Sequence, residues 1–269
     1  TAARAVVVLV HGLGEHIGRY EHVAEAFTQA GYSFWAFDNL GHGRSDGQRG
    51  HIERWADYTE NVERFVALVQ SQSPDPTANR PLFIYGHSLG ALMTLIYLIE
   101  RPSNAAEICG LVISAPPIQP VGVEKPWLAT LAKTFSQLLP RLSLNLGLGG
   151  EALSRDPKVV RRALADPLMH SVATLRWGTE TMAAIATARN RASQITCPVL
   201  ILHGADDKIS DVQGSHELFD SLTLTDKTLL VYPNNYHEVH NDLDQVQVLE
   251  DILTWFNTHV SACRTEAPV

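Results

Sequence analysis

Apolar residues recur along this chain with two periods, and the alternation between them predicts the elements. Ala5, Val6, Val7, Val8, Leu9 and Val10 form a continuous run, the pattern of a strand buried on both faces. Tyr20, Val23, Ala24 and Phe27 follow at helical spacing, and Gly31 closes that helix. Tyr32 to Phe37 predicts a second strand, and Tyr58, Val62, Phe65 and Val69 a second helix whose stripe faces the core. Leu82 to Tyr85 reads as a third strand. Leu89 to Glu100 reads as an apolar helix that Pro102 ends. Gly110 to Ser114 is a fourth strand, stopped by Ala115, Pro116 and Pro117. Cys197 to Leu202 and Thr228 to Tyr232 give a fifth and a sixth, and Leu249, Ile252, Leu253 and Phe256 mark a closing helix. This order predicts an α/β fold: a mostly parallel central sheet with helices on both faces.

The alternation breaks once. Between Pro120 and Gly150 only Glu124, Lys125, Lys133 and Arg141 carry charge. Leu128, Leu131, Phe135, Leu138 and Leu142 lie at helical spacing beside Trp127, and Leu144, Leu146 and Leu148 then alternate with Asn145 and Gly147. We read residues 119–194 as a helical cap inserted over the carboxyl edge of the sheet, and residues 1–118 and 195–269 as the core. The leucines are expected to seat the cap and also to line an apolar pocket.

Candidate chemistry enters at the third strand. Gly86, His87, Ser88, Leu89 and Gly90 spell G-x-S-x-G between a strand and a helix, the nucleophile elbow of an α/β-hydrolase. The turn is sharp enough that bulky neighbours would collide, and it lifts the serine hydroxyl clear of the sheet at a helix N-terminus. A serine hydroxyl needs a base to take its proton and a carboxylate to hold that base in the right tautomer. In this fold the order is serine, acid, histidine, with the last two on loops after later strands. Ser88 follows the third strand, Asp206 and Asp207 the fifth, and His237 the sixth. Asp207 is preferred to Asp206 because it lies three residues after Gly204, at the usual turn position. His237 is preferred to His240 because it lies nearer the strand end. His42 precedes the serine and reads as a loop brace. The glycine-rich loop after the first strand (His11 to His16) is not G-x-G-x-x-G, so a dinucleotide site fits poorly. Its Leu13 N–H, with that of Leu89, is expected to form the oxyanion hole. A zinc pair of His237 and His240 is weak because no further ligands cluster nearby.

Composition narrows the partners. The 269 residues are 45% apolar and 19% charged, and the net charge of −8 argues against nucleic acid or an anionic membrane as the main partner. No apolar run is long enough to span a bilayer, and no signal peptide is visible. A cytoplasmic location is expected, with transient lipid-surface contact through the cap. The chain opens at Thr1, so a preceding segment is allowed for. Cys109, Cys197 and Cys263 show no C-x-x-C spacing and are expected to be buried free thiols.

Six stretches extend the pattern: HGLGEHIGRY, FDNLGHGRSDGQRGHI, YGHSLGA, SAPP, HGADDKISD and YPNNYHEVHND. Together they resemble the monoacylglycerol lipase and lysophospholipase group of α/β-hydrolases, from the first strand to the last. The resemblance implies a monoglyceride or similar single-chain ester as substrate and no metal or organic cofactor. It implies Ser88, Asp207 and His237 as the triad and Leu13 and Leu89 as oxyanion donors. It places Glu15, Arg19 and His240 at the glycerol end, with a bracing Glu15–Arg19 salt bridge as the alternative. The strands that usually precede the first one are absent from this sequence. A broad carboxylesterase, a lysophospholipase and a non-catalytic binding protein on the same scaffold are the competing readings. A lysophospholipase would need a phosphate site, and no basic cluster stands out for one.

Overall fold

The computed structural model describes residues 3–72, 80–121, 134–147 and 149–265. Six strands form one sheet: β1 (Val6–Val10), β2 (Ser33–Phe37), β3 (Leu82–His87), β4 (Ile108–Ser114), β7 (Val199–Gly204) and β8 (Lys227–Tyr232). Their spatial order is β2-β1-β3-β4-β7-β8, and every neighbouring pair is parallel. The continuous apolar runs follow from this arrangement, because alternate side chains of a covered strand each meet a helix layer. Val8, Val10, Ile84 and Ile201 pack on one face with α2 (Ala56–Ser71) and α3 (Leu89–Glu100). Val7, Leu9, Phe83 and Tyr85 pack on the other with α1 (Glu21–Gln29) and the closing helix Gln245–Thr265.

The elbow helix α3 is buried at every position from Leu89 to Ile99. A helix apolar on all sides needs cover on all sides. The sheet and α2 supply part of it, and the helix Leu175–Arg191, which lies between β4 and β7 in sequence, supplies more. The segment between β4 and β7 also holds the helix Pro157–Ala165 and a two-stranded antiparallel ribbon, β5 (Ser143–Asn145) with β6 (Val172–Thr174). The alternating residues Leu144 and Asn145 therefore lie in a strand. Trp127, Leu128, Leu131 and Leu148 lie outside the described residues. Phe135, Leu138 and Leu142 are exposed, so this part of the leucine stripe does not seat the segment on the core.

One expectation is corrected. Cys109 and Cys263 form a disulfide, and only Cys197 is a buried free thiol. The pair lies 154 residues apart in sequence with a Cα–Cα distance of 5.8 Å. Local spacing carries no trace of it, because it arises where the closing helix crosses the start of β4. Gly110 marks that crossing: a Cβ there would stand 2.6 Å from the Trp255 ring.

Candidate active site

The sheet's carboxyl edge collects the chemistry. Ser88 follows β3 with φ 51° and ψ −118°, a conformation that costs a non-glycine residue about 1–3 kcal/mol. Its N–H donates to the Ser114 carbonyl at 2.8 Å, tying the elbow to the end of β4. A Cβ at Gly86 would stand 2.7 Å from the Ala91 Cα, and one at Gly90 would enter the Val10 carbonyl. The motif needs both glycines because the chain passes this close to itself. Ser88 thus stands at the N-terminus of a 12-residue helix, where the dipole favours negative charge.

His237 Nε2 lies 2.9 Å from Ser88 Oγ, and His237 Nδ1 lies 2.7 Å from Asp207 Oδ2. Residues 149 and 30 positions apart in sequence thus form one hydrogen-bonded line. The Asp207 side chain is fully buried, whereas Asp206 is exposed. Asp207 Oδ1 accepts from the N–H groups of Ile209 (2.8 Å) and Ser210 (3.1 Å). Burial pushes the Asp207 carboxyl up, but the charge of His237 and hydrogen bonds from His203 and His237 hold it well below the usual carboxylate range. Burial pushes the His237 imidazole down, but the charge of Asp207 and the hydrogen bond to it outweigh burial and raise its pKa.

His203 is a residue the sequence reading missed. Its Nε2 lies 3.1 Å from Asp207 Oδ2 and 2.9 Å from the Ser210 carbonyl, and its Nδ1 lies 2.6 Å from Ser215 Oγ. A histidine at the end of β7, four residues before the acid, was the available signal.

The loop after β1 is held by side chains from its own motif and the next. Asn39 N–H donates to His11 Nε2 at 2.9 Å, which leaves Nδ1 to donate to the Gly12 carbonyl at 2.9 Å. Burial lowers His11 to about 4, so the ring stays neutral in this role. His42 braces its own loop, with Nδ1 2.9 Å from the Leu40 carbonyl, as expected from the sequence. Glu15 Oε1 accepts from Gly12 N–H and from the Tyr20 hydroxyl (2.8 Å). Arg19 lies 3.6 Å from Glu15 and pairs closely with Glu238, the residue after His237. Two buried carboxylates thus share one guanidinium. Burial and the charge of Glu238 raise the Glu15 pKa, against Arg19 and the two donors.

A cavity of about 360 Å³ opens over the line of Ser88 and His237. Leu13, Leu89, Leu146, Leu153, Trp177 and Ile185 contribute apolar walls, and Glu15 and Glu238 line it as well. Of the residues assigned to the glycerol end, Glu15 is in the wall. Arg19 stands behind it, and His240 is buried in a stack on Tyr20 at 4.7 Å.

The comparisons with known proteins point to one family. The Hydrolase_4 family model, described as serine aminopeptidase S33, matches residues 1–244. A monoacylglycerol lipase of Mycolicibacterium smegmatis is 34% identical over 97% of this chain and 90% of its own length. The crystal structure of the Paleococcus ferrophilus monoacylglycerol lipase superposes with a TM-score of 0.86 at 34% identity, over 96% of each chain. A soluble variant of the Saccharomyces cerevisiae monoglyceride lipase, bound to a substrate analogue, gives 0.86 at 25% identity over 96% of this chain and 88% of its own. The chain belongs to the monoacylglycerol lipase-like α/β-hydrolases. Membership in this family makes it a carboxylic ester hydrolase. No helix among the described residues is long and apolar enough to cross a membrane.

Proposed function

We propose that this chain hydrolyses monoacylglycerols to glycerol and fatty acid through a Ser88–His237–Asp207 triad and an acyl-enzyme. Ser88 Oγ attacks the ester carbonyl while His237 Nε2 takes its proton. Asp207 keeps the second proton of the ring on Nδ1 and stabilises the imidazolium that forms. The N–H groups of Leu13 and Leu89 hold the developing oxyanion. His237 then gives its proton to the departing glycerol oxygen and draws one from water, which attacks the acyl carbonyl and frees Ser88. The observation that carries this reading is the unbroken line from Ser88 Oγ through both ring nitrogens of His237 to Asp207.

The cavity supports a neutral alcohol and an apolar acyl chain. Its charged lining side chains are Glu15 and Glu238, and no Lys or Arg is among its described lining residues. A phosphodiester headgroup would meet carboxylates there, which disfavours a lysophospholipid. Glu15 is assigned to bind the glycerol hydroxyls, Arg19 to hold Glu15, and His240 to support both through Tyr20. The same proposal takes residues 119–194 as the cap, with exposed Leu138, Leu142 and Leu144 making transient contact with a lipid surface. The Cys109–Cys263 bond argues against the cytoplasmic location expected from the sequence, since a reducing cytosol keeps thiols reduced. Thiol titration of protein taken from its own cells distinguishes the compartments.

A panel of glycerol monoesters and p-nitrophenyl esters of matched chain length tests the substrate assignment. Higher kcat/KM for the glycerol esters at medium or long chain length is expected. A preference for short p-nitrophenyl esters with no gain from glycerol would make the chain a broad carboxylesterase instead.

A further inference from the structure

The loop between β8 and the closing helix carries His237, and the inserted segment grips it at three consecutive residues. The Leu153 carbonyl accepts from Glu238 N–H at 2.8 Å, directly after the base. Ser154 Oγ donates to the Asn241 carbonyl at 3.0 Å. Arg155 reaches both sides of the loop: its N–H and Nε donate to Asp242 Oδ1 at 3.0 and 3.1 Å, and Nη2 donates to Asn235 Oδ1 and to Asp244 at 2.7 Å.

Asp242 is the centre of this arrangement. It is 1% exposed, and its other oxygen accepts from Tyr236 N–H at 2.7 Å, directly before the base. Backbone bonds to Tyr236 and Glu238 therefore bracket His237 on both sides. Both lead to residues 153–155, through Asp242 in one case and directly in the other. Asn235 extends the grip to the loop that carries the acid, because its carbonyl accepts at 3.0 Å from the N–H of Asp206, the residue before Asp207. Leu153, whose carbonyl holds Glu238, also lines the cavity.

We propose that residues Leu153–Arg155 are a positioning element for His237, with Arg155 and Asp242 as its positioning residues. The inserted segment thereby holds the base as well as covering the substrate. This rests on the triad reading above. A planar guanidinium on a buried carboxylate and a neighbouring amide fixes direction as well as distance, which an ammonium does not. Loosening the loop moves Nε2 away from Ser88 Oγ, and a misplacement of about 1 Å at reacting atoms costs about 100-fold.

The test compares Arg155→Met, Arg155→Lys and Ser154→Ala with a control, Arg189→Ala. The control breaks another ion pair of the inserted segment, 3.2 Å from Glu217 and away from the His237 loop. Arg155→Met is expected to lower kcat about 10- to 100-fold with KM changed less than about twofold. Arg155→Lys should recover part of that loss, Ser154→Ala should show a smaller loss, and Arg189→Ala none. The far-downfield proton signal of the His237–Asp207 hydrogen bond should broaden or vanish in Arg155→Met and persist in the control. That signal does not depend on Ser88 being the nucleophile, so a failed triad reading and a failed positioning role remain distinguishable. If Arg155→Met does not fold, Arg155→Lys and Ser154→Ala carry the test. Folded variants with unchanged kcat and an unchanged proton signal would overturn the proposal, as would losses in the control equal to those in the Arg155 variants.

Discussion

His203 stands 3.1 Å from the Asp207 carboxylate oxygen that also bonds His237. The acid is therefore held by two histidines, one facing the serine and one facing the fold.

His203→Ala should destabilise the protein by about 1.5–3 kcal/mol at neutral pH, the scale of a hydrogen bond to a charged group. The deficit depends on pH in a definite sense. Asp207 has a depressed pKa in the folded state, so it contributes stability that is present above the unfolded value of about 3.9 and lost as pH falls through the folded one. His203 is one cause of that depression, so the deficit of the variant should be full at pH 7 and shrink only near about pH 2, where Asp207 begins to protonate in the folded variant. Urea unfolding at the two pH values measures it. An equal deficit at both would mean that His203 serves packing alone.

The acid limb of kcat/KM should lie above the unperturbed histidine value of about 6.5, because Asp207 raises His237 more than burial lowers it. A general base works only when neutral, so activity is lost as pH falls through that raised pKa. Asp207→Asn removes the charge and leaves burial in control. The residual activity should fall by about 10⁴, and its acid limb should move to lower pH. A limb that stays in place would assign it to another group.

Glu15→Ala should cost monoglyceride hydrolysis more than hydrolysis of a simple aryl ester. Some loss on both is expected, since Glu15 also accepts from Gly12 N–H, next to Leu13, the proposed oxyanion donor. Glu15→Gln keeps an acceptor for Gly12 and Tyr20 and should restore the aryl ester activity first. Equal losses on the two substrates in Glu15→Ala would leave Glu15 as a loop brace only.

The sequence showed what depends on local order. Ser88 sits in a motif whose glycines answer to contacts within a few residues, and Asp207 and His237 sit where strands end. Each could be found without knowing what touched it. The His203 bond to Asp207 had a faint local trace, four residues along the chain from the end of β7. The Arg155–Asp242 contact had none, since 87 residues separate its partners. The same applies to Glu238, whose pairing with Arg19 exists only once β8 lies at the sheet edge and the loop after β1 folds over it. Cys109 and Cys263 were misread for that reason too: an odd number of cysteines reports nothing about which two meet. Helical spacing across Phe135, Leu138 and Leu142 gave the period of a helix but not which side was covered.

Ser88 Oγ is the atom proposed to carry the acyl group. Ser88→Ala, assayed on a monoacylglycerol at saturating concentration with the fold checked by circular dichroism, should leave a folded protein whose kcat has dropped by about 10³ or more. Turnover within a few-fold of the unsubstituted protein would contradict it.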